Sequence, residues 1–117
     1  MTNETIWSTN IRGIISNFNY LQHEIVSSKP SIVTICETFL TSEVPDIALH
    51  IPGYAFFRRD RGGHGGGVVI YYKSSLDVQS LTNLNDNIHE SIWFKLKIGQ
   101  FEILGCGAYW PPNPSTN

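Results

Sequence analysis

Charge is scarce in this sequence and neither sign dominates. Eight Lys and Arg stand against ten Asp and Glu, giving a formal net charge of −2. A passive nucleic-acid coat draws its affinity from neutralising phosphates and is normally basic, so that class is disfavoured. Cysteine is equally scarce. Cys36 and Cys106 make neither a disulfide framework nor a metal-ligand spacing, and each lies in an apolar, strand-like run, where it reads as a small buried hydrophobe in a reducing compartment. No apolar run approaches the ~18 residues of a membrane span, so no membrane partner is expected. The start, Met-Thr-Asn-Glu-Thr, has neither the basic nor the apolar region of a secretory leader. An intracellular location, nuclear or cytoplasmic, is the expectation. Glycine follows no period, which excludes a collagen-like chain. What is present is 41% hydrophobic and 12% aromatic residues in a chain of 117. That suffices for one small domain burying roughly two-thirds of its unfolded surface.

The apolar pattern predicts a strand over Ile6–Ile11, then a helix capped by Ser16 or Asn17 and carrying Phe18, Leu21 and Ile25 on one face. Pro30 disfavours helical geometry at Lys29, so the helix is expected to stop near Ser28. Ser31–Cys36 is apolar and β-branched on both faces, as a doubly buried strand would be. Strand, helix and strand with short connections make a βαβ unit with two parallel strands. Residues 38–53 read as a loop. From Tyr54 the pattern becomes an antiparallel meander, with strands over 54–59, 67–73, 76–81, 91–98 and 101–109. Residues 82–89 form a polar turn, and Gly99-Gln100 is a two-residue hairpin signal. The fold class is therefore α+β, a βαβ unit followed by a β meander.

Ligands of open α/β sheets gather beyond the carboxyl ends of parallel strands. Asn10 closes the first strand and Glu37 directly follows the second. Glu37 is either a ligand for a hard cation such as Mg²⁺ or a solvated loop residue. Asn10 also has the bland role of satisfying local backbone groups. The run Arg58-Arg59-Asp60-Arg61 leads into Gly62-Gly63-His64-Gly65-Gly66-Gly67. It lacks the Gly-Lys-Ser/Thr ending and following helix of a phosphate loop, and reads instead as a basic hairpin tip. Its arginines either touch a nucleic-acid backbone or keep the tip soluble. Tyr109 ends the last strand before Pro111-Pro112, as a projecting hydroxyl or as an aromatic packed at the sheet margin. His64 lies in the tip with no acidic partner nearby in sequence, and His23, His50 and His89 read as surface or helix-face histidines, so none receives a catalytic role.

Several segments together resemble a known family: Asn10-Ile11-Arg12-Gly13; Lys29-Pro30-Ser31-Ile32-Val33 leading to Glu37-Thr38-Phe39-Leu40; Ile51-Pro52-Gly53-Tyr54; Phe57-Arg58-Arg59-Asp60-Arg61; Gly65-Gly66-Gly67-Val68; and Gly107-Ala108-Tyr109-Trp110-Pro111-Pro112-Asn113. In that order they are similar to the N-terminal half of an endonuclease/exonuclease/phosphatase domain, most of all the endonuclease domain of non-LTR (LINE-type) retrotransposon polyproteins. The resemblance runs from about Ile6 to Asn113. It implies the α/β sandwich of pancreatic-deoxyribonuclease-like enzymes, a Mg²⁺ cofactor and DNA as the partner. It also implies that Asn10 orients catalytic partners and phosphate, Glu37 binds metal, Tyr109 approaches the scissile phosphate and Asn113 contacts DNA; Arg58, Arg59 and Arg61 are candidate DNA contacts on the reading of the basic tip alone. Phe39 stands where the family usually has tryptophan.

The family's second half contributes an Asp-x-Asn strand end and a Ser-Asp-His segment, and neither occurs after Tyr109 here. The expectation is a partial domain, 1–117, inactive alone and paired in its parent with a C-terminal half. The other reading is a non-catalytic nucleic-acid-binding or decayed mobile-element fragment. Such a half is expected to supply mostly one sheet, with alternating apolar residues of 67–73, 91–98 and 101–109 exposed for self-association.

Overall fold

The structure, a computed structural model, describes residues 4–61, 65–84 and 90–109. Strand β1 (Ile6–Asn10) pairs in parallel with β2 (Ile32–Cys36), with Ile6 opposite Ile32 and Asn10 opposite Cys36. Helix α1 (Phe18–Ser28) joins them, completing the βαβ unit. Leu21 and Ile25, one turn apart, are its buried residues. Lys29 ends the helix in the left-handed region (φ +54) and donates its N–H to the Ile25 carbonyl at 2.8 Å. The stop before Pro30 thus falls where the sequence places it.

The N-terminal cap differs in its chemistry. Asn17 occupies the cap position, but its side chain makes no bond to the first-turn amides. Its Nδ2 donates backwards to the carbonyls of Ile11 (3.1 Å) and Gly13 (2.9 Å). The side chain thereby fastens the loop after β1 to the start of the helix.

Two further strands complete the first sheet. β3 (Tyr54–Arg59) and β4 (Val68–Lys73) form an antiparallel pair, and β4 also runs antiparallel to β2, giving the order β1-β2-β4-β3. A second sheet holds β5 (Asp77–Ser80), β6 (Glu90–Ile98) and β7 (Phe101–Tyr109) in sequence order. The β6–β7 hairpin turns at Gly99-Gln100, with Ile98 opposite Phe101 and Gly99 at φ +59.

Alternate residues of the central strands feed two cores. On one face of the first sheet, Val33, Ile35, Val69 and Tyr71 pack with Leu21 and Ile25 of α1 and with Leu40, Leu49 and Ile51 of the 38–53 segment. Tyr71 is fully buried there, and its hydroxyl donates to the Leu49 carbonyl at 2.6 Å. Burial pushes that phenol far above its ordinary range. On the other face, Ile32, Val68 and Ile70 meet Ile92, Phe94 and Leu96 of the second sheet. Burial on both faces is why β2 and β4 read as unbroken β-branched and apolar runs.

This second core corrects the expectation of a half with mostly one sheet. The inward residues of 68–73 and 91–98 cover each other instead of facing solvent. Exposed large apolar side chains include Phe101, Ile103 and Leu104 on β7 and Ile6 on β1, besides Tyr20 and Val26 on α1 and Ile47 in the 38–53 segment. The burial expected for both cysteines also needs correction: Cys36 is half-buried and Cys106 is exposed. The built Cβ positions of Gly105 and Gly107 meet Phe94 and Ile70 inside the sandwich, so the alternating Cys106 falls on the outer face. Among the described residues, no helix is long and apolar enough to cross a membrane.

A labelling prediction follows from the two thiols. Burial, reinforced by Glu37, Glu90 and Cys106, pushes the Cys36 thiol up, which lowers its thiolate fraction. Iodoacetamide at pH 8 should alkylate Cys106 first, with Cys36 slower by about tenfold or more. Peptide mapping over time checks this, and equal rates would contradict the burial assigned to Cys36.

Candidate active site

One end of the sandwich collects most of the chemistry-bearing residues. Asn10 at the end of β1 lies opposite Cys36, and Cys36 lies opposite Val68, which in turn faces Arg59. In the second sheet, Glu90 at the start of β6 lies opposite Tyr109 at the end of β7. Several hydrogen bonds join the sheets at this end, among them bonds from Cys36 and Arg59. Cys36 Sγ donates to the Ala108 carbonyl at 2.9 Å, and Arg59 Nη1 donates to the Ser91 carbonyl at 2.8 Å. The backbones of Asn10, Glu37 and Tyr109 are thus drawn to one end. The Tyr109 side chain lies outside what is described, as do Asn113, His64 and His89.

Glu37 is presented on a strained turn. Arg12, Glu37 and Phe39 have φ values of +51, +56 and +59, a region that costs a non-glycine residue about 1–2 kcal/mol each. Surrounding hydrogen bonds hold it. Gly13 N–H donates to the Glu37 carbonyl at 2.8 Å, and Ile14 N–H to the Thr38 carbonyl at 3.0 Å. On the other side, Phe39 N–H donates to the Gly66 carbonyl at 2.9 Å, and Thr38 N–H to that of Gly67 at 3.4 Å. The loops after β1 and β2 and the glycine run before β4 therefore brace one another. Glycine is required at the closest approach, since a Cβ on Gly67 would stand 2.3 Å from Thr38 Oγ1.

The Glu37 side chain retains 18% exposure, with Arg12 Nε 3.8 Å from its Oε1. Arg12 is 82% exposed, so this ion pair is screened and binds Glu37 only loosely. Among the described residues, no group of three or more His, Cys, Asp or Glu gathers into a metal cage. Mg²⁺ rarely uses such cages. It keeps several waters and takes one or two carboxylates plus substrate phosphate. An accessible carboxylate at the end of the parallel pair fits that requirement, with the exposed Asn10 amide at the same edge.

The three arginines are all engaged within the chain. Arg58 donates to Asp60 and Asp46 and to the carbonyls of Val44 and Thr41, clamping the 38–53 segment against β3. The Asp60 bond, ahead of the other contributions, raises its already high pKa. Arg59 spans the two sheets, and Arg61 Nε bonds Glu90 Oε2. Glu90 escaped the sequence reading altogether. It follows the polar run 82–89, and nothing local in the sequence signals its contact with residues 61 and 67.

A family model for the "Endonuclease/Exonuclease/phosphatase family" matches residues 7–115. The chain belongs to this family. Its fold is that of solved members at low identity. The AP endonuclease LMAP from Leishmania major superposes with a TM-score of 0.68 at 17% identity, covering 88% of this chain and 39% of that one. The endonuclease domain of TRAS1, a telomere-specific non-LTR retrotransposon, gives 0.67 at 18%, covering 95% and 46%. D. rerio TDP2, complexed with a single-strand DNA product, gives 0.66 at 15%, covering 97% and 49%. The chain thus spans less than half the length of each of these structures. No curated protein shows significant sequence similarity to it.

Proposed function

We propose that this chain is the metal-side half of a Mg²⁺-dependent DNA endonuclease domain of the non-LTR retrotransposon type. The observation that carries this reading is Glu37 held on a left-handed turn beside Asn10, at the end of the parallel pair, in a chain of this family. The TRAS1 likeness and the DNA-bound TDP2 structure support the substrate class.

Within this reading, Glu37 would hold Mg²⁺, which when bound stabilises charge developing on the phosphoryl oxygens. Asn10, fixed in register at the strand end, orients the phosphate group. Tyr109 brings its hydroxyl toward the scissile phosphate, and Asn113 adds a backbone contact. Arg58, Arg59 and Arg61 lie on the DNA side. Arg61, with 41% of its side chain exposed against 17% for Arg58, is the better placed of those two to reach a phosphate. Arg58 acts chiefly by fixing the segment that follows the Glu37 turn.

The complementary half of the domain is the proposed protein partner. β1 and β7 are the terminal strands of their sheets, and the Cys36–Ala108 bond sets β7 over β2, next to β1. Both open edges therefore lie on one side. A groove of about 360 Å³ lined by Trp7, Asn10, Asn17, Tyr20, Leu21 and Glu24 runs between β1 and α1 on that side. Further strands would extend both sheets there, and without them exposed Ile6, Phe101 and Leu104 favour self-association. Action on DNA implies a nuclear or cytoplasmic setting.

The test uses Mn²⁺ titration and plasmid nicking. The 117-residue chain should bind Mn²⁺, and Glu37→Gln should weaken binding by about tenfold or more. Alone, the chain should leave supercoiled plasmid intact. Joined to a C-terminal half carrying Asp-x-Asn and Ser-Asp-His segments, it should nick in an EDTA-sensitive manner, with Glu37→Gln and Tyr109→Phe losing activity. Mn²⁺ affinity indifferent to Glu37 would remove the metal assignment.

A further inference from the structure

We propose that Glu90, on the second sheet, is a positioning residue that sets the Glu37 turn by fixing the orientation of a single peptide plane; this rests on the reading of Glu37 as the metal ligand. Glu90 Oε1 accepts the Gly67 N–H at 2.7 Å, and its Oε2 bonds Arg61 Nε. Gly66 C=O and Gly67 N–H belong to the same trans peptide unit and point in opposite directions. The carbonyl end of that unit accepts the Phe39 N–H at 2.9 Å. Glu90, the Gly66–Gly67 peptide and Phe39 therefore form a continuous hydrogen-bonded relay from the second sheet to the turn bearing Glu37. A carboxylate acceptor polarises the peptide it binds, and chained bonds strengthen one another.

Among the described residues, the acceptor for the Gly67 N–H is Glu90 and the donor to the Gly66 carbonyl is Phe39, so these two bonds set the orientation of the peptide plane. It is flanked by two glycines in the left-handed region, Gly66 at φ +67 and Gly67 at φ +95. Glycine gives access to that region at no steric cost, but for the same reason does not hold the plane there. The turn it supports, with Glu37 at φ +56 and Phe39 at φ +59, is itself unfavourable for its residues and depends on external bonds. Glu90 is mostly buried, its side chain 20% exposed, and Arg61 on its second oxygen fixes the carboxylate's rotation. Space is matched as well: a Cβ on Gly66 would come within 2.6 Å of Glu90 Oε1 and 2.5 Å of Arg61 Nε. The glycine, the carboxylate and the arginine are thus packed as one unit behind the metal-side turn.

The experiment compares Glu90→Ala with Glu90→Gln in the 117-residue chain, using amide hydrogen exchange by NMR and Mn²⁺ titration. Gln retains a carbonyl oxygen to accept the Gly67 N–H, whereas Ala removes the acceptor. Glu90→Ala should speed exchange of the Gly67 and Phe39 amides by about tenfold or more and weaken Mn²⁺ binding by about tenfold. Glu90→Gln keeps one acceptor for Gly67 but turns an NH2 toward Arg61 Nε, so its losses should lie between those of the native chain and those of Glu90→Ala. Should the Ala variant not fold, Glu90→Asp, one methylene too short to reach Gly67, takes its place with the same expected loss. Unchanged Phe39 exchange in the Ala or Asp variant would overturn the proposal, as would a Gln variant as impaired as Ala. Unchanged Mn²⁺ affinity beside a faster Phe39 amide would overturn the link to the metal. If the native chain binds no Mn²⁺, the metal reading of Glu37 falls, and Phe39 exchange with the Glu37 amide shift still decides whether Glu90 sets the turn.

Discussion

Gly67→Ala should cost about 3 kcal/mol of stability, from left-handed strain of about 1–2 kcal/mol and overpacking of about 1–3 kcal/mol. Gly67 has φ +95, and a Cβ there would lie 2.3 Å from Thr38 Oγ1. Thr38 cannot yield easily, because it is 1% exposed and its backbone N–H and C=O are both bonded across the site. Gly53 supplies the control. It too has positive φ, +84, but nothing lies within 4 Å of its built Cβ, so Gly53→Ala should show strain alone. Urea denaturation of the two variants separates these contributions: Gly67→Ala should exceed Gly53→Ala by roughly the clash, about 1–3 kcal/mol. The Gly67 variant should also lose Mn²⁺ affinity, since relief of the clash moves the turn that carries Glu37. Equal destabilisation at the two positions would show that the glycine run does not brace the turn.

The same position shows what a linear sequence can and cannot reveal. Strand boundaries were legible where side chains alternate or where β-branched residues run together, as in Ile32–Cys36 and Phe101–Tyr109, because burial imposes those patterns directly. Asn10 and Glu37 were legible as neighbours because parallel pairing of consecutive strands fixes which ends meet. The partner of an apolar face was not. Alternation in 90–98 shows that one side is buried without saying against what, so the closure of Ile92, Phe94 and Leu96 onto β2 and β4 was missed. Arginines met the same limit. Arg58 looks like part of a basic tip in sequence, yet from its place in the expected strand it reaches back to Asp46 across the 38–53 segment. Glu90 is the plainest case, since its partners at 61 and 67 are brought near only by the packing of one sheet on the other.

That packing gives the other large effect, at Phe94. The side chain is 3% exposed in the core between the sheets and lies opposite Gly105 in the β6–β7 ladder. A Cβ built on Gly105 would stand 2.3 Å from Phe94 Cζ, so the ring fills the space a residue at 105 would otherwise occupy. Phe94→Ala therefore empties both positions at once, and the cost should sit near the upper end of the usual range for such truncations, about 4–5 kcal/mol. A domain of this size has only about 5–15 kcal/mol to lose, so the variant should be barely folded at 25 °C, with a weakened near-ultraviolet dichroism and a broad melting transition. Gly105→Ala alone should also destabilise, because the added methyl meets the ring. Gly105 is not at positive φ, so alanine is tolerated there once the ring is gone, and the double variant should be more stable than Phe94→Ala alone. The coupling between the two sites, from urea denaturation of all four proteins, should be about 1–2 kcal/mol in the compensating direction. Simple additivity would mean that Phe94 and Gly105 do not share that space, and that the two sheets are held together by other contacts.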